Sequence, residues 1–236
     1  ELHRHHRDWD AALADFDRSA QLAPSLAEVD LARGRTLLDA GRPGPAKVAL
    51  DRFLGKHPEH VEALLARARV LVVMDQNRAA VEDYTRAIAL EAQIGRNIPD
   101  HYLERARACA AQGEQFIAEA LRGLDEGIEA LGPIVTLQLY AIQLELTGKR
   151  YDAALARLEI IRAQSRREER WLARRGEILE HAGHPAEARL AYAQALAAIE
   201  LLPERHRKTR ATTELEAQIH AALMRLAANE SKGAEP

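Results

Sequence analysis

Three short runs set two arginines around one small residue: Arg33-Gly34-Arg35, Arg67-Ala68-Arg69 and Arg105-Ala106-Arg107. Arginine carries a planar, permanently charged fork that meets a carboxylate or phosphate with two parallel hydrogen bonds. On a helix, residues two apart lie about 200° apart around the axis, so the two arginines of one run face opposite ways. No Gly-rich phosphate loop, nucleophile elbow or paired-histidine metal motif accompanies them. His3 and His6 share a helical face beside His5, but no third ligand stands at a recognisable spacing. Cys109 is the single cysteine, which excludes an internal disulfide; its place in a packing stripe reads as a small buried hydrophobe.

The runs recur because the chain repeats. Ala12, Ala46, Ala80, Ala120, Ala154 and Ala188 stand 34, 34, 40, 34 and 34 residues apart. A fixed period of this length marks stacked helical repeats. Four residues after each alanine comes Phe16, Leu50, Tyr84, Leu124, Leu158 or Tyr192, and twelve before come Gly34, Ala68, Ile142 and Gly176. Three of those four are small, which lets two helix backbones approach, and the large residue four after each ladder alanine fills the space beside them. Turn formers Gly41, Asp75, Gly113, Gly148 and Gly183 precede the second helix of a pair, and Pro24, Pro58 and Pro133 close units.

This pattern predicts a helix over 8–22, then pairs at 27–40 with 44–57, 60–74 with 77–91, 99–112 with 115–131, 134–147 with 151–164, and 169–182 with 185–200. A last helix over 204–227 carries Leu215, Ile219, Ala222 and Leu226 on one stripe, as a terminal cap requires. Residues 229–236 lack apolar content and are expected to be disordered. The 40-residue step holds a longer loop over 93–99, either a tolerated surface insertion, a local change in superhelix angle or a partner contact. Counted back from Ala12, residue 1 falls within a helix, so an incomplete first repeat is expected, with an apolar edge at Trp9, Leu13 and Phe16.

The run Trp9-Asp10-Ala11-Ala12-Leu13 through Phe16 to Leu22-Ala23-Pro24 resembles the tetratricopeptide repeat. So does Ala173-Arg174-Arg175-Gly176-Glu177-Ile178-Leu179 leading to Gly183-His184-Pro185-Ala186-Glu187-Ala188 and Tyr192. The resemblance covers about residues 1–200. The aromatic expected early in the first helix is replaced by Asp30, Leu64 and Leu172, and Tyr102 alone fits. It implies an all-α, right-handed α-solenoid (superhelix) of antiparallel helix pairs, with the array over 1–202, a capping helix over 203–228 and a tail over 229–236. It also implies that first helices line a concave groove and that the second arginine of each run points into it. Arg35, Arg69 and Arg107 would then form a ladder over an apolar floor of Leu31, Leu65 and Leu103. An acidic or C-terminal-carboxylate peptide suits that ladder. Glu28, Glu62 and Asp100 lie two turns earlier on the same face and offer the rival reading, a solvated charge pattern. The inner arginines Arg33, Arg67 and Arg105 face the packed side and need partners there, for which Asp15 and Asp83 are candidates.

Of the 236 residues, 47% are apolar and 4% aromatic, which favours helices packed through small side chains. The net charge of −3 makes no global electrostatic case for nucleic acid, and no apolar run approaches the roughly 20 residues of a membrane helix. The densest charge lies at Arg166-Arg167-Glu168-Glu169-Arg170 and Arg205-His206-Arg207-Lys208-Thr209-Arg210. The first alternates in sign like a solvated helix start. The second is net basic, a solvated cap start or a contact for an acidic partner, phosphate or nucleic acid. The expected function is a non-catalytic scaffold for a protein or peptide partner, with no cofactor and no metal. The rivals are a self-assembling homo-oligomer built through the incomplete first repeat and a regulatory or substrate-presenting region of a longer enzyme. The Arg- and Ala-rich style suggests a bacterial source; cytoplasmic and exported locations both remain open.

Overall fold

A computed structural model describes residues 9–22 and 27–233, and every regular element among them is helical. His3, His5, His6, Pro24 and the helix expected before Trp9 lie outside the described residues. The helices fall into two compact units, Glu1–Gly132 and Pro133–Pro236, where the sequence places one array over 1–202. The first unit holds α1 (Trp9–Leu22), α2 (Ala27–Asp39), α3 (Pro43–Lys56), α4 (Val61–Val73), α5 (Asn77–Gln93), α6 (Pro99–Ala110), a 3-10 turn (Glu114–Phe116) and α7 (Ile117–Leu131). The second holds α8 (Val135–Thr147), α9 (Tyr151–Ala163), α10 (Glu169–His181), α11 (Pro185–Glu200), α12 (Glu204–Arg207) and α13 (Arg210–Gly233).

The alanine ladder is where the second helix of each pair presses on its neighbours. Ala46, Ala80, Ala120, Ala154 and Ala188 are at most 1% exposed, and Ala12 is partly buried. A Cβ added at Gly34 would come within 2.6 Å of Leu50, and one at Gly176 within 2.6 Å of Tyr192. Both contacts join residues sixteen apart across one turn. Ala68 and Tyr84, at the same offset, share the core of α4 and α5, and Ile142 and Leu158 that of α8 and α9.

Four intra-pair turns share one closure. Arg42, Gln76, Arg150 and His184 donate backbone N–H to the carbonyls of Leu37, Leu71, Glu145 and Leu179 at 2.8–2.9 Å, the six-to-one bond of a left-handed helix stop. The left-handed residue stands five before the ladder alanine: Gly41, Asp75 and Gly183. In the α8–α9 turn that position is Lys149, with φ 54°, rather than the expected Gly148, whose φ is −81°. The register of the turn decides, and glycine one residue early is not used.

Two further expectations change. The capping helix is split at Lys208–Thr209 into α12 and α13, and α13 runs to Gly233, so residues 229–233 are helical rather than disordered. Its stripe does what a cap needs: Ile219, Ala222 and Leu226 are buried against a core that includes Tyr192 and Ile199, while Met224 is exposed. The apolar edge is largely covered from within. Leu13 is buried and Phe16 half-buried in a cluster with Leu37 and Leu50, so α2 and α3 occupy the face proposed for a neighbour.

A non-glycine residue in the left-handed region costs about 1–2 kcal/mol. Lys149→Gly is therefore expected to raise the melting temperature by the equivalent of about 1 kcal/mol. Gly183→Ala, at φ 80° with open space around it, is expected to lower it by a similar amount. Paired thermal melts followed by circular dichroism check both signs.

Candidate functional site

The two arginines of each run do part as the helical geometry requires. Inner Arg67, on α4, donates to both carboxylate oxygens of Asp83 at 2.7 Å and to Asp51 at 2.9 Å. It thus bridges α5, ahead of it, and α3, behind it. The paired carboxylates hold its guanidinium charge well above the usual range against the opposing cost of burial, with Asp83 the largest cause. Inner Arg33 pairs with Asp17, not with the expected Asp15, which turns to Arg18 at 3.8 Å. The reason is register: Arg33–Asp17, Arg67–Asp51 and Arg67–Asp83 are all sixteen apart, whereas Asp15 is eighteen from Arg33. Inner Arg105 donates to the Gly123 carbonyl at 3.0 Å and pairs with Glu126, because two extra residues lengthen the α6–α7 turn. A counterpart in the second unit carries no Arg-small-Arg signature: Arg157 donates to buried Glu145 at 2.8 Å and to Gln138 at 3.2 Å.

Two of the three outer arginines face a cleft of about 620 Å³ in the first unit. Arg35 and Arg69 line it above Leu65, with Glu62, Arg96 and His101 completing the wall. Leu31, Leu103 and Arg107 do not line it. Leu31 packs into the core, and Arg107 stands exposed in the last turn of α6, so three expected rungs reduce to two in this cleft. Each rung already holds a carboxylate from the next first helix. Arg35 pairs with Glu62, as the rival reading anticipates. Arg69 pairs with Glu104 at 3.0 Å, a carboxylate outside the set Glu28, Glu62 and Asp100. The two rungs differ in firmness. Arg35 and Glu62 are both more than half exposed. Arg69 shares Glu104 with the Tyr84 hydroxyl, whose pKa is raised by burial and by that carboxylate.

The long loop forms one end of the cleft, and its anchors escaped the sequence reading. Glu91, 2% exposed at the end of α5, meets His101 Nδ1 of α6 at 2.7 Å. Arg96 of the loop lies 3.8 Å from the same carboxylate, and the Tyr102 hydroxyl donates to Asn97 Oδ1 at 2.9 Å. Elsewhere Cys109 is 2% exposed, and burial, with Glu119, pushes its thiol up to about 11, so it is protonated at neutral pH. Among the described residues no group of three or more His, Cys, Asp or Glu side chains is arranged to hold a metal, and no helix is long and apolar enough to cross a membrane.

Helix pairs joined by left-handed stops, with first helices lining a cleft, define a helical-repeat scaffold. Known families agree. A tetratricopeptide repeat-like domain family matches residues 102–210, and a tetratricopeptide repeat family matches residues 31–73. No curated protein matches the chain. Among solved structures, a tetratricopeptide repeat protein from Parabacteroides merdae is 17% identical, with a TM-score of 0.60 over 96% of this chain and 86% of that one. YrrB, described as having an unusual peptide-binding site, is 14% identical, with a TM-score of 0.57 over 78% and 91%. MamA from Desulfovibrio magneticus is 12% identical, with a TM-score of 0.56 over 78% and 97%. At such identities the structures speak for the fold alone. The chain belongs to the tetratricopeptide-repeat family, and its general role is that of a protein-interaction scaffold.

The inner and outer arginines should differ sharply in stability. Arg67→Ala strands the buried Asp83 carboxylate and is expected to cost about 3–5 kcal/mol. Arg35→Ala breaks an exposed pair and is expected to cost under about 1 kcal/mol. Urea denaturation of the two variants measures the contrast.

Proposed function

We propose that the chain is a non-catalytic scaffold that takes an extended acidic segment of a partner into the first unit's groove, with Arg35 and Arg69 as its cationic rungs beside Leu65 in the cleft, and with exposed Arg107, at the end of α6, extending the charge beyond the cleft that Leu31 and Leu103 do not line. The observation that carries this is the pairing of Arg35 with Glu62. That guanidinium already presents its fork to a carboxylate at the cleft wall, and both groups are exposed enough for a partner's carboxylate to exchange for Glu62 at little cost. Arg69, tied to Glu104 and Tyr84, acts as the fixed rung beside it.

Long-range attraction does not assist. The first unit carries 17 Lys and Arg against 22 Asp and Glu, so recognition is made at contact. Titration of a fluorescent Glu-rich peptide into the protein tests the reading. An Arg35→Ala/Arg69→Ala/Arg107→Ala variant that keeps its melting temperature is expected to bind at least tenfold more weakly. Unchanged affinity overturns it.

A further inference from the structure

The second unit holds a separate cleft of about 670 Å³, formed where the first charge-dense run, over 166–170, meets the start of α13. Arg166, Arg167, Arg170 and Trp171 line one side, and Thr212 and Leu215 of α13 the other. Arg167 ties the sides together: it bonds the buried Glu169 carboxylate at 2.6 Å and donates to Thr212 Oγ1 at 3.3 Å. Trp171 fixes the loop before α10 by donating its indole N–H to Ser165 Oγ at 2.8 Å.

The charges of this cleft do not cancel. Each of its two carboxylates is paired with an arginine, Glu169 through one oxygen with Arg167, its other oxygen being buried without a hydrogen-bond partner, and Glu214 with Arg210 at 2.6 Å. Arg166 and Arg170 are exposed and form no ion pair among the described residues. Arg170 lies over the Trp171 ring, 4.4 Å from its centroid, which orients the guanidinium without neutralising it. The first turn of α13 carries no acidic residue, so the positive end of that helix adds to the field. The unit as a whole holds 16 Lys and Arg against 14 Asp and Glu, the reverse of the first unit's balance.

We propose that this cleft docks an acidic segment of a partner protein, with its carboxylates on the forks of Arg166 and Arg170 and its apolar side chains against Leu215 and Ala211. Charge complementarity selects the sign of the ligand. The cleft is the size of a ligand pocket, far larger than a bare inorganic anion fills, and its wall is part apolar, which selects a peptide chain. This site is independent of the first unit's groove.

The test removes the groove first. In the full chain carrying Arg35→Ala/Arg69→Ala/Arg107→Ala, a fluorescent peptide of alternating glutamate and leucine is titrated by anisotropy at low salt. Residual binding is expected, weakened at least tenfold by adding Arg166→Ala/Arg170→Ala and several-fold by Arg166→Ala alone. The single variant alters only an exposed side chain, so it reports even where loss of Arg170 from the Trp171 ring disturbs the fold. No residual binding, or residual binding indifferent to Arg166→Ala, overturns the proposal. Inorganic phosphate that displaces the peptide beyond the effect of sodium chloride at equal ionic strength also overturns it, since that marks a simple ion site.

Discussion

Everything else in this chain depends on how closely the two helices of a pair approach. At Gly34 and Gly176 there is no room for a Cβ, because Leu50 and Tyr192 fill the crossing. Such contacts recur at one offset, sixteen residues across the turn, wherever the turn has its standard length. At Gly34, Ala68 and Gly176 dispersion and burial favour a small residue on one helix and a large one on the other, whereas Ile142 and Leu158 meet as two large ones. In the four short turns the left-handed stop, followed directly by the next helix, then holds that offset.

The same offset disposes the charges. One residue from the crossing, Arg67 falls opposite Asp83 and Asp51 and becomes a strut between three helices. Two residues on, Arg69 emerges on the other side and faces the cleft. Packing therefore sorts chemically identical side chains into a locked set and an accessible set. Where two residues are added between α6 and α7, Arg105 reaches Gly123 and Glu126 instead of an aspartate. Where residues are added between α5 and α6, the loop is pinned through Glu91 and His101 and becomes part of the cleft wall.

The helices were legible because they follow a period, and a period survives substitution of any one residue. Most observed helix ends fall within two residues of the expected ones. What the sequence concealed depended on register or on distance. Asp15 and Asp17 are equally plausible partners by composition, and the sixteen-residue offset separates them. Gly148 is the better turn former by type, yet Lys149 holds the left-handed position. Arg107 repeats the motif but lies in the last turn of its helix, beyond the cleft. The cleft of the second unit was hidden for another reason. Its walls lie 45 residues apart in sequence at Arg167 and Thr212, and they meet because Ile219, Ala222 and Leu226 seat α13 on the core beside Tyr192.

Position 176 needs a glycine because Tyr192 fills the crossing. A double-mutant cycle on Gly176 and Tyr192, read by urea denaturation, addresses it directly. Gly176→Ala is expected to destabilise the protein with Tyr192 in place, and most of this cost is expected to disappear in a Tyr192→Leu background, a coupling of about 1–3 kcal/mol. An equal cost in both backgrounds would contradict it.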